Sequence, residues 1–305
     1  MPLMLDECIV HEADNVVRSL EHTSLRDLDK KFILSLLADK GYLLFRGFDT
    51  NLNEFNCFVE RCSSIVSLDP AREFFGKAAQ KVDAGFDAVG LHCENGNSPF
   101  WPDLAWFFCE LAASKGSQTT VCDGRSVWQA MPDSYKQRFL NEDIVYSRRV
   151  EEQQWKHFVY RTLNQLVELG ELNETIALED INLKHLTDLV QQNPSASIEA
   201  LDRGAVRYYF STPAARKSVF SEELAFANSI LGPSYNYEAP KIEFSDGSML
   251  DNELIQALSE LTEQHTKNIE WQSGDVVLID NTRVMHGRRK IEDTKRCIYN
   301  ALSYI

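Results

Sequence analysis

Apolar positions recur at helical spacing in several stretches of the 305-residue chain. Leu25, Leu28, Phe32, Leu36 and Leu37 predict an amphipathic helix over 25–38, with Gly41 as its C-terminal stop. A second helix is expected over 55–65, others over 151–169 and 183–192, and one over 254–270, where Leu254, Leu258 and Leu261 share a face. Strand character lies at 42–45, 89–94, 103–109, 119–122, 205–210, 275–279 and 296–304, the 275–279 strand following the turn Gln272-Ser273-Gly274. Residues 69–90 hold Pro70, Gly76, Gly85 and Gly90 with little period, which suits a lid or pocket wall. Strands at both ends with helices between them predict an α+β fold, because a doubly wound parallel sheet needs regular alternation. The expected organisation is one domain over 1–305, with a helical insertion around 148–200.

Composition narrows the partners. The formal net charge is -15, which makes nucleic acid and anionic membrane surfaces poor partners. Seven cysteines form no C-x-x-C pair, so thiols rather than a disulfide framework or a thiolate zinc site are expected. The acidic first residues lack the basic start and apolar run of a signal peptide, and no stretch of about 18 apolar residues occurs. A cytoplasmic protein acting on a small molecule is expected.

Chemistry concentrates at two histidines. On a strand, His92 and Glu94 would point to one face, as two ligands of one metal must. With seven His and 46 acidic residues, about one His-x-acid triplet arises by chance, so the spacing alone carries no information. His286, after the 275–279 strand, is a candidate third ligand. Two histidines and a carboxylate make the facial triad of non-haem iron oxygenases, though such donors also hold zinc or manganese. Arg296, ten positions beyond His286, could clamp the carboxylate of a dianionic co-substrate. No Gly-rich phosphate loop is present.

The order and spacing of four blocks carry more: GYLLFRGF (41–48), LHCENGN (91–97), FFCELAASKGSQTTVCDG (107–124) and WQSGDVVLIDNTRVMHGRR (271–289). Together they resemble the taurine dioxygenase-like (TauD/TfdA) family. The resemblance implies a double-stranded β-helix, or jelly roll, with helices outside. It places Fe(II) on His92, Glu94 and His286, and 2-oxoglutarate on Arg296 and Thr119, with O2 as co-substrate. Thr120 competes with Thr119, and Arg288 and Arg289 with Arg296. Asn281 fits a supporting role. Glu94 stands where most members carry Asp, as in clavaminate synthase-like members, and its presence argues against a halogenase. Gly116-Ser117 replaces the usual Gly-Gly pair.

The implied reaction is hydroxylation, desaturation or cyclisation at an unactivated C–H bond. The expected substrate is a small polar molecule, an amino acid or an amino-acid-derived natural-product intermediate. Asn95, Asn97, Phe100, Trp101, Arg207 and Arg289 are the candidate substrate residues. Two rival readings fit parts of the pattern. A non-redox cupin-type hydrolase or isomerase leaves Thr119 and Arg296 unused. A metal-free jelly-roll binding module makes the three ligands coincidental.

Overall fold

The computed structural model describes residues 8–11, 15–19, 24–67, 74–82, 85–168, 170, 172–233 and 239–305. Part of the 69–90 stretch, residues 69–73 and 83–84, lies outside them. The fold is mixed α+β with several sheets.

Two sheets share one apolar core. The larger runs in the order Cys8–His11, Val16–Ser19, Tyr42–Arg46, Val276–Asp280, Leu104–Leu111, Cys297–Tyr304, Ala79–Lys81, Phe74–Phe75, with Ile65–Ser67 also paired to Cys297–Tyr304. The smaller is Thr266–Ile269, Thr119–Asp123, Val284–Arg288, Val89–His92, antiparallel throughout. Alternation along each strand explains the layers. Val277 and Ile279 meet Val121, Val284 and Ile269 of the smaller sheet, while Val276 and Leu278 point the other way. Every residue of Val276–Asp280 is therefore buried.

Helices Lys30–Lys40 and Leu52–Cys62 cover that other face, packing Ile33, Leu37, Phe55 and Phe58 on Phe45, Trp106 and Phe108. Their starts differ from the periodicity. Asp29 caps the first helix by accepting from the Phe32 amide, so Leu25–Asp27 is a separate 3-10 turn rather than part of a 25–38 helix. Asn51 caps the second, which begins three residues earlier than expected, and Ile65 belongs to a strand. Gly41 ends the first helix at φ +78°, where a Cβ would meet Arg283 and Val284 at 2.9 Å.

The outer face of the smaller sheet presents Leu91, Cys122 and Met285 to Val127, Leu254 and Leu258. It also meets a third sheet, ordered Ala196–Ala200, Val206–Thr212, Ile144–Val150, Lys241–Phe244. Ile144, Tyr146 and Phe210 of that sheet join this core, and Val206 joins a cluster with helices Glu152–Glu168 and Leu183–Val190. The helix expected over 254–270 stops at Gln264. Thr266–Ile269 instead pairs with Thr119–Asp123, which buries Ile269 between the sheets. Open sheet-edge hydrogen bonds and a buried isoleucine outweigh one more helical turn there.

Trp106 is fully buried, stands edge-on to Phe58 at 5.5 Å and donates to Ser303 Oγ at 2.9 Å. Replacing it with alanine is expected to cost about 3–5 kcal/mol, read as a lowered midpoint of urea unfolding.

Candidate active site

The smaller sheet brings the two histidines together. His92 and His286 are direct cross-strand partners, with ring centroids 4.6 Å apart. Val284–Arg288 pairs on both edges, and Val284, His286 and Arg288 share its inner face. Gly287 points outward, where a Cβ would meet the Val89 carbonyl oxygen at 2.5 Å. The turn before this strand is fixed by Asp280, which accepts from Ser218 Oγ and the Thr282 amide, and by Arg283, whose guanidinium grips Asp123.

Glu94 does not reach the site by strand alternation as expected, because the strand ends at His92. It sits in a turn, with Asn95 at φ +54°. One side chain holds that turn. The Glu94 amide donates to Asn281 Oδ1 at 2.8 Å, and Asn281 Nδ2 donates to the carbonyls of Glu94 at 3.1 Å and Pro102 at 2.8 Å. Glu94 Oε1 then stands 3.3 Å from His286 Nε2.

The ligand atoms of His92, Glu94 and His286 lie within 4.8 Å of one another. Cis donors around a first-row metal ion, at bond lengths of about 2.1 Å, stand about 3 Å apart, so this set fits one ion. His92 Nδ1 is 2.9 Å from the Gly90 carbonyl, which keeps the proton there and the lone pair on Nε2. His286 Nδ1 is buried and has no hydrogen-bond partner among the described residues. Cys93, between His92 and Glu94 in sequence, packs into the outer apolar cluster, and burial pushes its thiol pKa upward.

A cavity of about 1280 Å³ opens from this group. Phe107, Thr119, Arg288, Arg296 and Ile298 line it beside the ligands. Thr119 faces the cavity and Thr120 alternates away from it. Thr119 Oγ1 accepts from Trp271 Nε1 at 3.1 Å, which leaves its own proton to donate. Arg296 precedes the Cys297–Tyr304 strand rather than opening it, and donates to Ser117 Oγ. Burial, and next the charge of Arg288, lower the Arg296 guanidinium to about 10, so it stays cationic near neutral pH. Arg288 donates to the carbonyls of Gly85 at 2.9 Å and Asp87 at 2.7 Å, holding the 85–88 segment against the site.

Of the candidate substrate residues, Asn95, Asn97 and Phe100 line the cavity. Trp101, Arg207 and Arg289 do not. Trp101 is buried, donates to the Asn281 carbonyl and carries Arg216 over its ring at 4.1 Å. Arg207 alternates away from the cavity-lining Val206 and Tyr208. Arg289 lies past the strand end and is held by Glu263 at 2.6 Å and Asn268 at 3.0 Å. Sequence reasoning did not pick out Arg148, His157, Phe158, Tyr208 or Asn300, all of which line the cavity. A helical stripe in 151–169 was the one signal available for His157 and Phe158.

The family model described as taurine catabolism dioxygenase TauD, TfdA family matches residues 10–302. The chain belongs to this family. As a TauD/TfdA member it is 23% identical to a clavaminate synthase-like protein of Arabidopsis thaliana over 294 residues, 88% of this chain and 83% of that one. It is 23% identical to the dapdiamide synthesis protein DdaC of Enterobacter agglomerans over 301 residues, 93% and 90% of the two chains. Its fold is shared with PvcB of Pseudomonas aeruginosa, at TM-score 0.59, 14% identity, and 97% and 90% coverage. It is shared as well with AAD-2, solved with Mn(II) and N-oxalylglycine, at TM-score 0.56, 14% identity, and 97% and 96% coverage.

Removing the Asn281 carboxamide leaves the Glu94 turn without its clamp. Asn281→Ala is expected to weaken Mn(II) binding about 10–100-fold, measured by titration under electron paramagnetic resonance.

Proposed function

We propose that this TauD/TfdA-family enzyme is an Fe(II)- and 2-oxoglutarate-dependent oxygenase, with His92, Glu94 and His286 as the iron ligands. We read residues 1–305 as a single oxygenase domain, its two core sheets as a double-stranded β-helix, and the helices between 148 and 200 as an elaboration of it. The observation that carries the reading is the convergence of the three ligand atoms beside Thr119 and Arg296 in one cavity. PvcB is described as an Fe, alpha-ketoglutarate dependent oxygenase from an isonitrile synthetic pathway, and N-oxalylglycine in AAD-2 is an analogue of the same co-substrate.

Iron with 2-oxoglutarate supplies O2-dependent oxidation, in which decarboxylation to succinate is coupled to cleavage of a substrate C–H bond. The chain's own residues hold and orient. Arg296 offers a planar guanidinium to the far carboxylate of 2-oxoglutarate, and Thr119 offers its hydroxyl proton. Phe107 packs edge-on to His286 at 5.1 Å and, with Ile298, keeps water from that end. Asn281 keeps Glu94 turned inward. Asn95, Asn97 and Phe100 flank the space where substrate meets the ligands. The substrate class we favour is an amino acid or an amino-acid-derived intermediate, by likeness to a dapdiamide synthesis protein and to an enzyme of an isonitrile pathway. Hydroxylation, desaturation and cyclisation all start from the same bond cleavage. A non-redox hydrolase or isomerase would give Thr119 and Arg296 nothing to bind.

Anaerobic addition of Fe(II) and 2-oxoglutarate to the apoprotein is expected to give a weak visible charge-transfer band. Alanine at His92, Glu94 or His286 should abolish both the band and substrate-dependent succinate release. Bound iron with no band in the wild-type protein would move the non-redox reading to first place. The Arg296 pKa of about 10 adds a pH test: an anion is held by the charged guanidinium, and that charge is lost as pH rises through the pKa. Affinity for 2-oxoglutarate, titrated with Mn(II) in place of iron, should be level between about pH 7 and 9 and fall above about 10.

A further inference from the structure

Two largely buried arginines, Arg46 and Arg283, are each paired with a carboxylate, Asp275 at 2.6 Å and Asp123 at 2.5 Å. Arg296 differs. Among the described residues its guanidinium has one hydrogen-bond partner, the hydroxyl of Ser117, and no acidic one. A hydroxyl oxygen accepts a proton without carrying charge, so it can aim a guanidinium and leave the positive charge for another anion. One N–H group is used on Ser117, and the rest of the planar fork stays open for a bidentate partner.

Ser117 is itself held in place. It is 3% exposed and lines a small side pocket with Trp271 and Ile298 rather than the main cavity. Its amide donates to the Lys290 carbonyl at 2.9 Å, and Gly116 before it bridges to Ile291. Further along the same segment, Asp293 accepts from the Ser114 amide at 2.9 Å and the Ser114 hydroxyl at 2.7 Å, and from the Lys295 amide at 2.9 Å. The segment that delivers Arg296 is therefore fastened to the turn that carries Ser117. The backbone of Ser117 has φ +67°, a region that L side chains rarely adopt and that glycine takes freely. A side chain there costs stability, and the bond to Arg296 is what this one makes in return.

We propose that Ser117 is a positioning residue for the co-substrate: its hydroxyl aims the Arg296 guanidinium at the far carboxylate of 2-oxoglutarate and leaves the charge unneutralised. The proposal rests on the oxygenase reading, which makes Arg296 the anchor of that carboxylate. Ser117 acts through Arg296 and stands apart from the three ligands, so its loss lowers co-substrate affinity and spares the metal.

The test is calorimetric titration of N-oxalylglycine into the full chain loaded with Mn(II). S117A and S117G should each bind it about tenfold more weakly, the worth of one hydrogen bond to a charged group, with Mn(II) affinity unchanged. S117G should unfold at the wild-type temperature or above it, because glycine relieves the left-handed backbone. A residue that served the turn alone would leave binding intact in that variant. In an R296Q background S117A should weaken binding no further, which is the signature of action through Arg296. Wild-type affinity in S117G, or an equal loss on top of R296Q, overturns the proposal and leaves the co-substrate site standing. Failure of the wild-type protein to bind N-oxalylglycine overturns the co-substrate reading itself and this proposal with it, so the two failures are told apart.

Discussion

One buried carboxamide sets the geometry of the site. Asn281 accepts the Glu94 amide proton and returns two hydrogen bonds, to the carbonyls of Glu94 and Pro102. Its own backbone carbonyl takes the Trp101 indole proton. A turn this close to a core would otherwise bury unpaired peptide groups, each costing about 1–3 kcal/mol. Asn281 answers those groups and, in doing so, fixes the direction in which Glu94 leaves the chain. The cross-strand pairing of His92 with His286 then has a third donor to meet.

Electrostatics separate the inside of the molecule from its surface. The chain is strongly acidic, yet the cavity holds Arg148, Arg161, Arg288 and Arg296 with Glu94 and Glu151 as its acidic lining, and Glu151 is spent on Arg149. Buried arginine pays for its desolvation, as the lowered Arg296 pKa records. Arg288 offsets part of its own cost through two backbone carbonyls. These cations favour anions inside the cavity, against the acidity of the chain as a whole.

Much of this was legible in the sequence where the cause is local. Periodicity located five of the seven α-helices among the described residues, missing Gly124–Ala130 and Asp133–Asn141, and the β-branched run near 276 located a central strand, because alternation and amphipathicity act over a few residues. The three residues that converge, His92, Glu94 and His286, were picked out through the order of four blocks, since chance makes one His-x-acid triplet but rarely that order. Long-range pairing was the hidden part. Thr266–Ile269 reads as the tail of a helix until Thr119–Asp123 offers it a partner. Trp101, Arg207 and Arg289 looked like pocket residues, and only register and strand ends turned them away. Arg148 was read as the start of the helical insertion around 148–200, but it lies in the strand Ile144–Val150.

The two ends of the cavity rest on different sheets. The ligand end is locked by paired strands, Asn281 and the Arg283 grip on Asp123. The far end is a helix face laid on the third sheet through apolar contacts such as Trp155 and Val159 with Val206. Substitutions along that helix can reshape what the cavity admits without disturbing a hydrogen bond at the ligand end. Over evolutionary time the two ends are therefore free to change at different speeds, one held still by its chemistry and the other open to drift.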